Sequence, residues 1–265
     1  MCGQVGIVFG RKRRRTAELD RLIEVFVRLL LHSEARGPHA SGLAWLKTDG
    51  SHRIVKQPLP AREMIYEEAF LDALAEVDAQ TTVLMGHTRW RTRGDEANNA
   101  NNHPIRAGRV IGTHNGTLYN ADHLFRRLRL PCFAEVDSEL IFRLADRCAR
   151  MGPIDLGHLA GSLAPCRGQM SAVLASRGDP GTVTLLKGNK PLHLRYHRCY
   201  RVVLYASDAT FLDDALDGEC GWRDLAMSPM TMLTLAHNDL GVGTTRPLTF
   251  IAQDRRGTLP AGVAA

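Results

Sequence analysis

The chain enters a strand almost at its first residue. Behind Met1, Cys2 and Gly3, the segment Gln4 to Phe9 alternates around Val5, Ile7 and Phe9, the period-two pattern of a strand with one buried face. Cys2 therefore heads a rigid element, not a loose tail. A small second residue generally permits removal of the initiator methionine, and the mature chain is expected to begin at Cys2. That residue then carries a thiol and a free α-amine together. The amine, with an ordinary pKa of about 7.7–8.0, lies close to the thiol at roughly 8.5, and an N-terminal amine can activate the nucleophile beside it.

The rest of the pattern alternates strand groups with helices. Gly10 and the basic run Arg11 to Arg15 make a loop, and Thr16 is placed to cap a helix with Leu19, Leu22, Ile23, Phe26 and Leu30 at helical spacing, ending near Gly37. Ser41 to Leu46 and His52 to Val55 read as strands joined at Asp49-Gly50, and Ala61 to Val77 as one amphipathic helix after Pro60. Thr81 to His87 is an apolar strand running into arginine-rich sequence; Val110 to His114 is another, stopping at Asn115-Gly116. Helices are expected over Asp122 to Leu130, Ser138 to Arg150 and Ile154 to Leu163. Strands follow at Met170 to Ser176, Thr182 to Lys187, Leu192 to Tyr196 and Tyr200 to Ala206, then a helix at Ala209 to Leu216 and strands at Met230 to Leu235 and Leu248 to Ala252. Residues 253–265 are expected to be a flexible tail, frayed from Thr258. With no repeat and no linker, all 265 residues read as one domain of sheet layers covered by helices.

Composition matters here for what it excludes. Hydrophobic content of 44% with 23% charged residues rules out disorder. The formal net charge of +6 suggests nucleic acid until it is located: Arg11, Lys12, Arg13, Arg14 and Arg15 supply nearly all of it. That run reads as a solvated loop, with contact to an acidic partner or a nucleic acid as the less favoured use. The longest apolar stretch, Leu22 to Leu31, is cut by Glu24 and Arg28, so no membrane span is expected, and the N-terminus has no export signal. Six cysteines without a CxxC pair favour reduced thiols in the cytoplasm. His193, His197 and Cys199 lack a fourth ligand, so neither metal nor cofactor is expected.

Hydrolysing an amide through a thiol requires a thiolate, a base, donors for the developing oxyanion and groups that fix the substrate. Cys2 offers thiol and base. His114-Asn115-Gly116, at a strand end, can aim the Asn115 amide and the Gly116 N–H at one point as an oxyanion hole, or can be a plain Asn-Gly turn. Thr88-Arg89-Trp90, with Thr92 and Gly94 behind it, sets an arginine beside an aromatic wall, suited to two-point binding of a carboxylate. Asp137 opens a helix, where it either caps or holds a substrate ammonium. An arginine for a carboxylate and an aspartate for an ammonium describe a grip on an amino-acid head group.

Six ordered motifs carry a family resemblance: Met1-Cys2-Gly3-Gln4-Val5-Gly6, Arg36-Gly37-Pro38-His39-Ala40-Ser41-Gly42, His87 through Gly94, Asn101-Asn102-His103-Pro104, His114-Asn115-Gly116 and Asp137-Ser138-Glu139. A weaker echo, Gly168-Gln169-Met170 with Ala206-Ser207-Asp208, extends it. The chain resembles class II glutamine amidotransferase domains, such as the glutaminase halves of glucosamine-6-phosphate synthase and asparagine synthetase. The resemblance implies an α+β N-terminal-nucleophile hydrolase fold, a four-layer αββα sandwich with two antiparallel sheets. It also implies Cys2 as nucleophile with its own α-amine as base, Asn115 and Gly116 as oxyanion hole, and L-glutamine as substrate. Arg89, beside Trp90, would bind the α-carboxylate with Thr92, Asp137 the α-amino group, and Arg36 would support the nucleophile. Three positions depart from the family pattern: Gln4 stands for an apolar residue, His39 for an aspartate and Arg93 for a histidine.

The leading expectation is a glutaminase that feeds ammonia to a separate synthase, because the chain ends about where those glutaminase halves end. The alternative is a stand-alone amidase acting on γ-glutamyl or related amides. A third class is a non-catalytic binding module in which the basic loop does the work.

Overall fold

A computed structural model describes residues 2–149 and 152–253 of the chain. In order, its elements are β1 (Gly3–Phe9), α1 (Thr16–Ser33), β2 (Ala40–Lys47), β3 (His52–Gln57), α2 (Ala61–Met64), α3 (Glu68–Ala75), β4 (Thr81–Arg89), β5 (Ile105–Ala107), β6 (Val110–Leu118), α4 (Ala121–Leu128) and α5 (Ser138–Cys148). These are followed by α6 (Leu156–Leu163), β7 (Arg167–Ser176), β8 (Asp179–Lys187), β9 (His193–His197), β10 (Val202–Ala206), α7 (Ala209–Leu216), β11 (Trp222–Asp224), β12 (Thr231–Ala236), β13 (Asp239–Pro247) and β14 (Ile251–Ala252).

The strands form two sheets. One runs β11-β9-β10-β1-β4-β2-β3, and the other β13-β12-β8-β7-β6-β5, with β14 added beside β7. All pairs are antiparallel except β14 with β7. The α+β four-layer arrangement follows from how each strand divides its side chains. In β1, Val5, Ile7 and Phe9 face a core built with Leu22, Val25, Phe26 and Leu29 of α1 and with residues of α2, α3 and α7. Val8, on the opposite face, joins Met85, Ile111, Val173 and Tyr205 between the sheets. A third core lies under α4, α5 and α6 on the outer face of β5, β6 and β7. Helices thus cover the two outer faces, and the sheets pack on each other through their inner ones.

Gln4 belongs to that inner face. Its amide nitrogen donates to the Thr113 carbonyl at 3.1 Å and to Thr113 Oγ1 at 2.7 Å, while its oxygen accepts from Ser171 Oγ at 3.4 Å. The departure from an apolar residue is therefore a polar bridge from β1 to β6 and β7, fully buried and hydrogen-bonded.

Several local expectations are corrected. Arg15, with extended backbone (φ −77°, ψ 153°), takes the cap position of α1, so Thr16 is already helical and caps nothing. The helix expected over Ala61 to Val77 breaks into α2 and α3, because Glu67 is extended (φ −67°, ψ 132°). β6 continues through Asn115-Gly116 to Leu118, paired with Ser171 and Met170 of β7, so this dipeptide is strand and not a turn. The strand expected from Leu248 is confined to Ile251 and Ala252, whereas Asp239–Pro247 is a strand that the glycines and proline concealed. β13 lies at a sheet edge, where those residues are tolerated. Of the expected tail only Gln253 is among the described residues; its N–H donates to Gly168 O at 2.9 Å.

The basic loop is partly spent on structure. Lys12 pairs with Glu18 and donates to the Cys199 carbonyl, and Arg14 folds inward to the carbonyls of Gly10, Tyr200 and Arg201. No helix among the described residues is long and apolar enough to cross a membrane.

Candidate active site

Cys2 precedes β1 at the point where β1 meets β4. Gly3 pairs with Thr88, and its α-carbon runs so close to α1 that a side chain there would meet Thr88 Oγ1 at 2.3 Å and Ser33 Cβ at 2.6 Å. Thr88 in turn donates to the Ser33 carbonyl at 2.7 Å. These contacts fix the backbone on which the thiol stands. Cys2 Sγ accepts the backbone N–H of Trp90 at 3.4 Å and lies 3.7 Å from the Trp90 carbonyl oxygen, to which the thiol donates. Burial pushes the Cys2 thiol above its ordinary value, and the Trp90 hydrogen bond and the Arg89 charge oppose that shift without cancelling it. Met1 lies outside the described residues.

The sulfur opens on a cavity of about 400 Å³ lined by Cys2, Trp90, Thr92, Asn115, Gly116, Thr117, Gln169 and Lys190. Asn115 is 1% exposed, and its side-chain nitrogen has no hydrogen-bond partner among the described residues. A buried, unpaired amide donor is costly, and here the residue that carries it lines the cavity that also holds the thiol. Gly116 has φ +154°, and a Cβ at this position would fall 2.0 Å from Gln169 O. Only glycine lets β6 and β7 close together beside the cavity.

Arg89, Asp137 and Arg36 stand behind this lining. Arg89 is 3% exposed and donates to Asn102 Oδ1 at 2.8 Å and to the carbonyls of Arg93 and Gly94 at 2.5 and 2.8 Å. These three contacts use three of the five hydrogens a guanidinium carries, and they hold the 90–94 loop over the sulfur. Asn102 completes the brace by donating to the Glu96 carbonyl at 2.7 Å. Asp137 does not cap α5; its carboxylate accepts the Leu118 N–H at 2.6 Å. Arg36 donates to the Ser207 carbonyl at 2.7 Å and pairs with Asp208 at 3.6 Å. Ser207 is itself bound to Gln4 at both its N–H and its hydroxyl, so Arg36 is tied to β1 from below.

Among the departures, His39 Nδ1 accepts the Arg91 N–H at 3.1 Å and its ring meets Trp90 edge-on at 5.2 Å, so it supports the loop. Arg93 pairs with Asp122 at 2.9 Å. Among the described residues, no group of three or more His, Cys, Asp or Glu side chains gathers as a metal site would.

No family model matches the chain. The glutamine–fructose-6-phosphate aminotransferase (isomerizing) of Aeropyrum pernix is 30% identical over 234 residues, 84% of this chain and 35% of that protein. The enzyme of the same name from Mycobacterium tuberculosis is 31% identical over 201 residues, 73% of this chain and 30% of that protein. The chain thus spans about a third of the length of these curated relatives. Among solved structures, the glutamine phosphoribosylpyrophosphate amidotransferase of B. subtilis, complexed with ADP and GMP, superposes with a TM-score of 0.68 at 19% identity, covering 94% of this chain and 49% of that one. The chain is a class II glutamine amidotransferase domain.

Three cavity residues of the amidotransferase domain escape a reading of the motifs. Thr117 follows His114-Asn115-Gly116 directly, and Gln169 sits in the weaker echo at Gly168-Gln169-Met170. Lys190 carries no sequence signal, because the turn after β8 brings it to the cavity only in the folded chain.

Proposed function

We propose that this domain hydrolyses the side-chain amide of L-glutamine and passes the ammonia to an acceptor site on a synthase unit outside these 265 residues. The observation that carries the reading is that Asn115, whose buried amide nitrogen has no hydrogen-bond partner among the described residues, lines the same cavity as Cys2. After removal of Met1, the α-amine of Cys2 takes the thiol proton, through a water. The sulfur attacks the amide carbon, and Asn115 and the Gly116 N–H bind the oxyanion. The amine returns the proton to the leaving nitrogen, the C–N bond breaks, and ammonia departs from a γ-glutamyl thioester. Water then attacks the thioester, releasing glutamate and restoring the thiol.

In this scheme Arg89 binds the α-carboxylate with its two remaining guanidinium hydrogens, assisted by Thr92. Trp90 walls the site, Asp137 receives the α-ammonium, and Arg36 holds the strand that carries Cys2. The whole chain acts as one domain. Its setting is the cytoplasm, a reading supported by six free cysteines. A dedicated acceptor is supported by chemistry: ammonia released into neutral water protonates and loses its nucleophilicity. The aminotransferase names of the curated relatives point the same way.

The test is glutamate release from glutamine and from other γ-glutamyl amides, with intact mass establishing whether the protein starts at Cys2. Glutamine-selective release that vanishes in Cys2→Ala is expected. Equal turnover of all γ-glutamyl amides, or activity surviving Cys2→Ala, would sink the proposal.

A further inference from the structure

A second cleft, of about 310 Å³, opens where the margins of the two sheets meet beneath α7. Its floor is apolar: Leu194 and Leu212 are buried, Met227 nearly so, and these residues continue the cores of the sandwich. Its rim is basic. Arg195 is neutralised by Asp213 and Asp224. Lys187, the last residue of β8, is different: among the described residues its ammonium has neither a hydrogen bond nor an ion pair, although it is half-buried. Burial holds both Lys187 and His193 below their ordinary values.

We propose that this cleft binds a small monocarboxylate with an apolar body, its charge taken by Lys187 and its hydrocarbon laid on Leu194, Leu212 and Met227. The volume is at the small-ligand end of the usual range. One unpaired cation balances one negative charge. Asp213 and Asp224 close to the rim disfavour a dianion such as a phosphate monoester. This site shares no lining residue with the Cys2 cavity and does not depend on the chemistry proposed there.

The experiment is an amide-shift titration of the ¹⁵N-labelled full chain with hexanoate, with the neutral isostere hexanamide and with inorganic phosphate. Hexanoate is expected to shift the amides of Lys187, Leu192 to Leu194 and Ala209 to Leu212, and to bind about tenfold more tightly than hexanamide, the scale of one hydrogen bond to a charged group. Lys187→Gln should abolish that preference and Lys187→Arg should keep it. Equal binding of hexanoate and hexanamide, a preference that survives in Lys187→Gln, tighter binding of phosphate, or shifts confined to the Cys2 cavity would each overturn the assignment.

Discussion

The Trp90 N–H points at Cys2 Sγ across 3.4 Å, so the residue after β4 and the residue before β1 are tied through the sulfur itself. The bond favours the thiolate, but burial outweighs it and leaves the thiol above its ordinary value. A raised thiol pKa means little thiolate at neutral pH. Iodoacetamide labelling of Cys2, followed by peptide mass spectrometry, is therefore expected to be slow at pH 7.5 and to climb as the pH passes 9. A rate already at its plateau by pH 7 would show that the sulfur is ionised in the resting protein.

Asn115→Ala removes a donor that has no partner among the described residues. Loss of one oxyanion donor costs about 10²–10³-fold in kcat, with KM for glutamine little changed because the donor acts on charge that develops during reaction. Steady-state kinetics with a circular-dichroism control decides this. An unchanged kcat would remove Asn115 from the chemistry.

Arg89→Lys keeps the charge but loses the planar fork that reaches Asn102, Arg93 and Gly94. The loop carrying Trp90 to Gly94 should loosen, with kcat/KM falling at least about tenfold, given about 1.5–3 kcal/mol for each hydrogen bond to a charged group. Tryptic cleavage after Arg91 and Arg93, both exposed, should accelerate in parallel. Unchanged cleavage would mean that the loop is held by something else.

Gln4→Leu restores an apolar residue but strands the Thr113 and Ser171 groups that Gln4 now satisfies. Leaving such groups unpaired costs about 1–3 kcal/mol, to be read from the urea midpoint at constant slope. A variant as stable as the parent would show that water replaces the bridge at no cost.

His87 is fully buried, and burial pushes its pKa down to about 3; His103, whose ring lies tilted against it at 4.3 Å, is held well below its ordinary value for the same reason. Both are neutral in the folded protein, whereas the unfolded chain binds their protons below about pH 6.5. Their contribution to stability is full above the unfolded pKa and is lost progressively as pH falls below it, at up to about 1.4 kcal/mol per pH unit for each group. His103→Gln should flatten the pH dependence of the urea midpoint between pH 6.5 and 4. Superimposable profiles would refute the assignment.

That Cys2, Trp90, Thr92, Asn115 and Gly116 belong to one candidate site was legible because these residues come in short runs whose chemistry is local. A cysteine heading a strand, an Asn-Gly behind an apolar run and an Arg-Trp after another announce themselves in four or five letters. What the runs concealed was orientation. Asn115-Gly116 has the letters of a turn, yet β7 supplies partners along its length and it remains strand. Arg89 has the letters of an exposed carboxylate grip, yet Asn102 and two loop carbonyls occupy much of its fork.

The sequence alone determined the alternation that makes two-faced strands and amphipathic helices, and it placed a thiol at the head of the first of them, since both are properties of neighbouring residues. The tertiary structure decided which groups share a cavity. Lys190 reaches the sulfur's pocket and Gln4 ties one sheet to the other because strands far apart in the chain pair in one register, and no local pattern encodes that register.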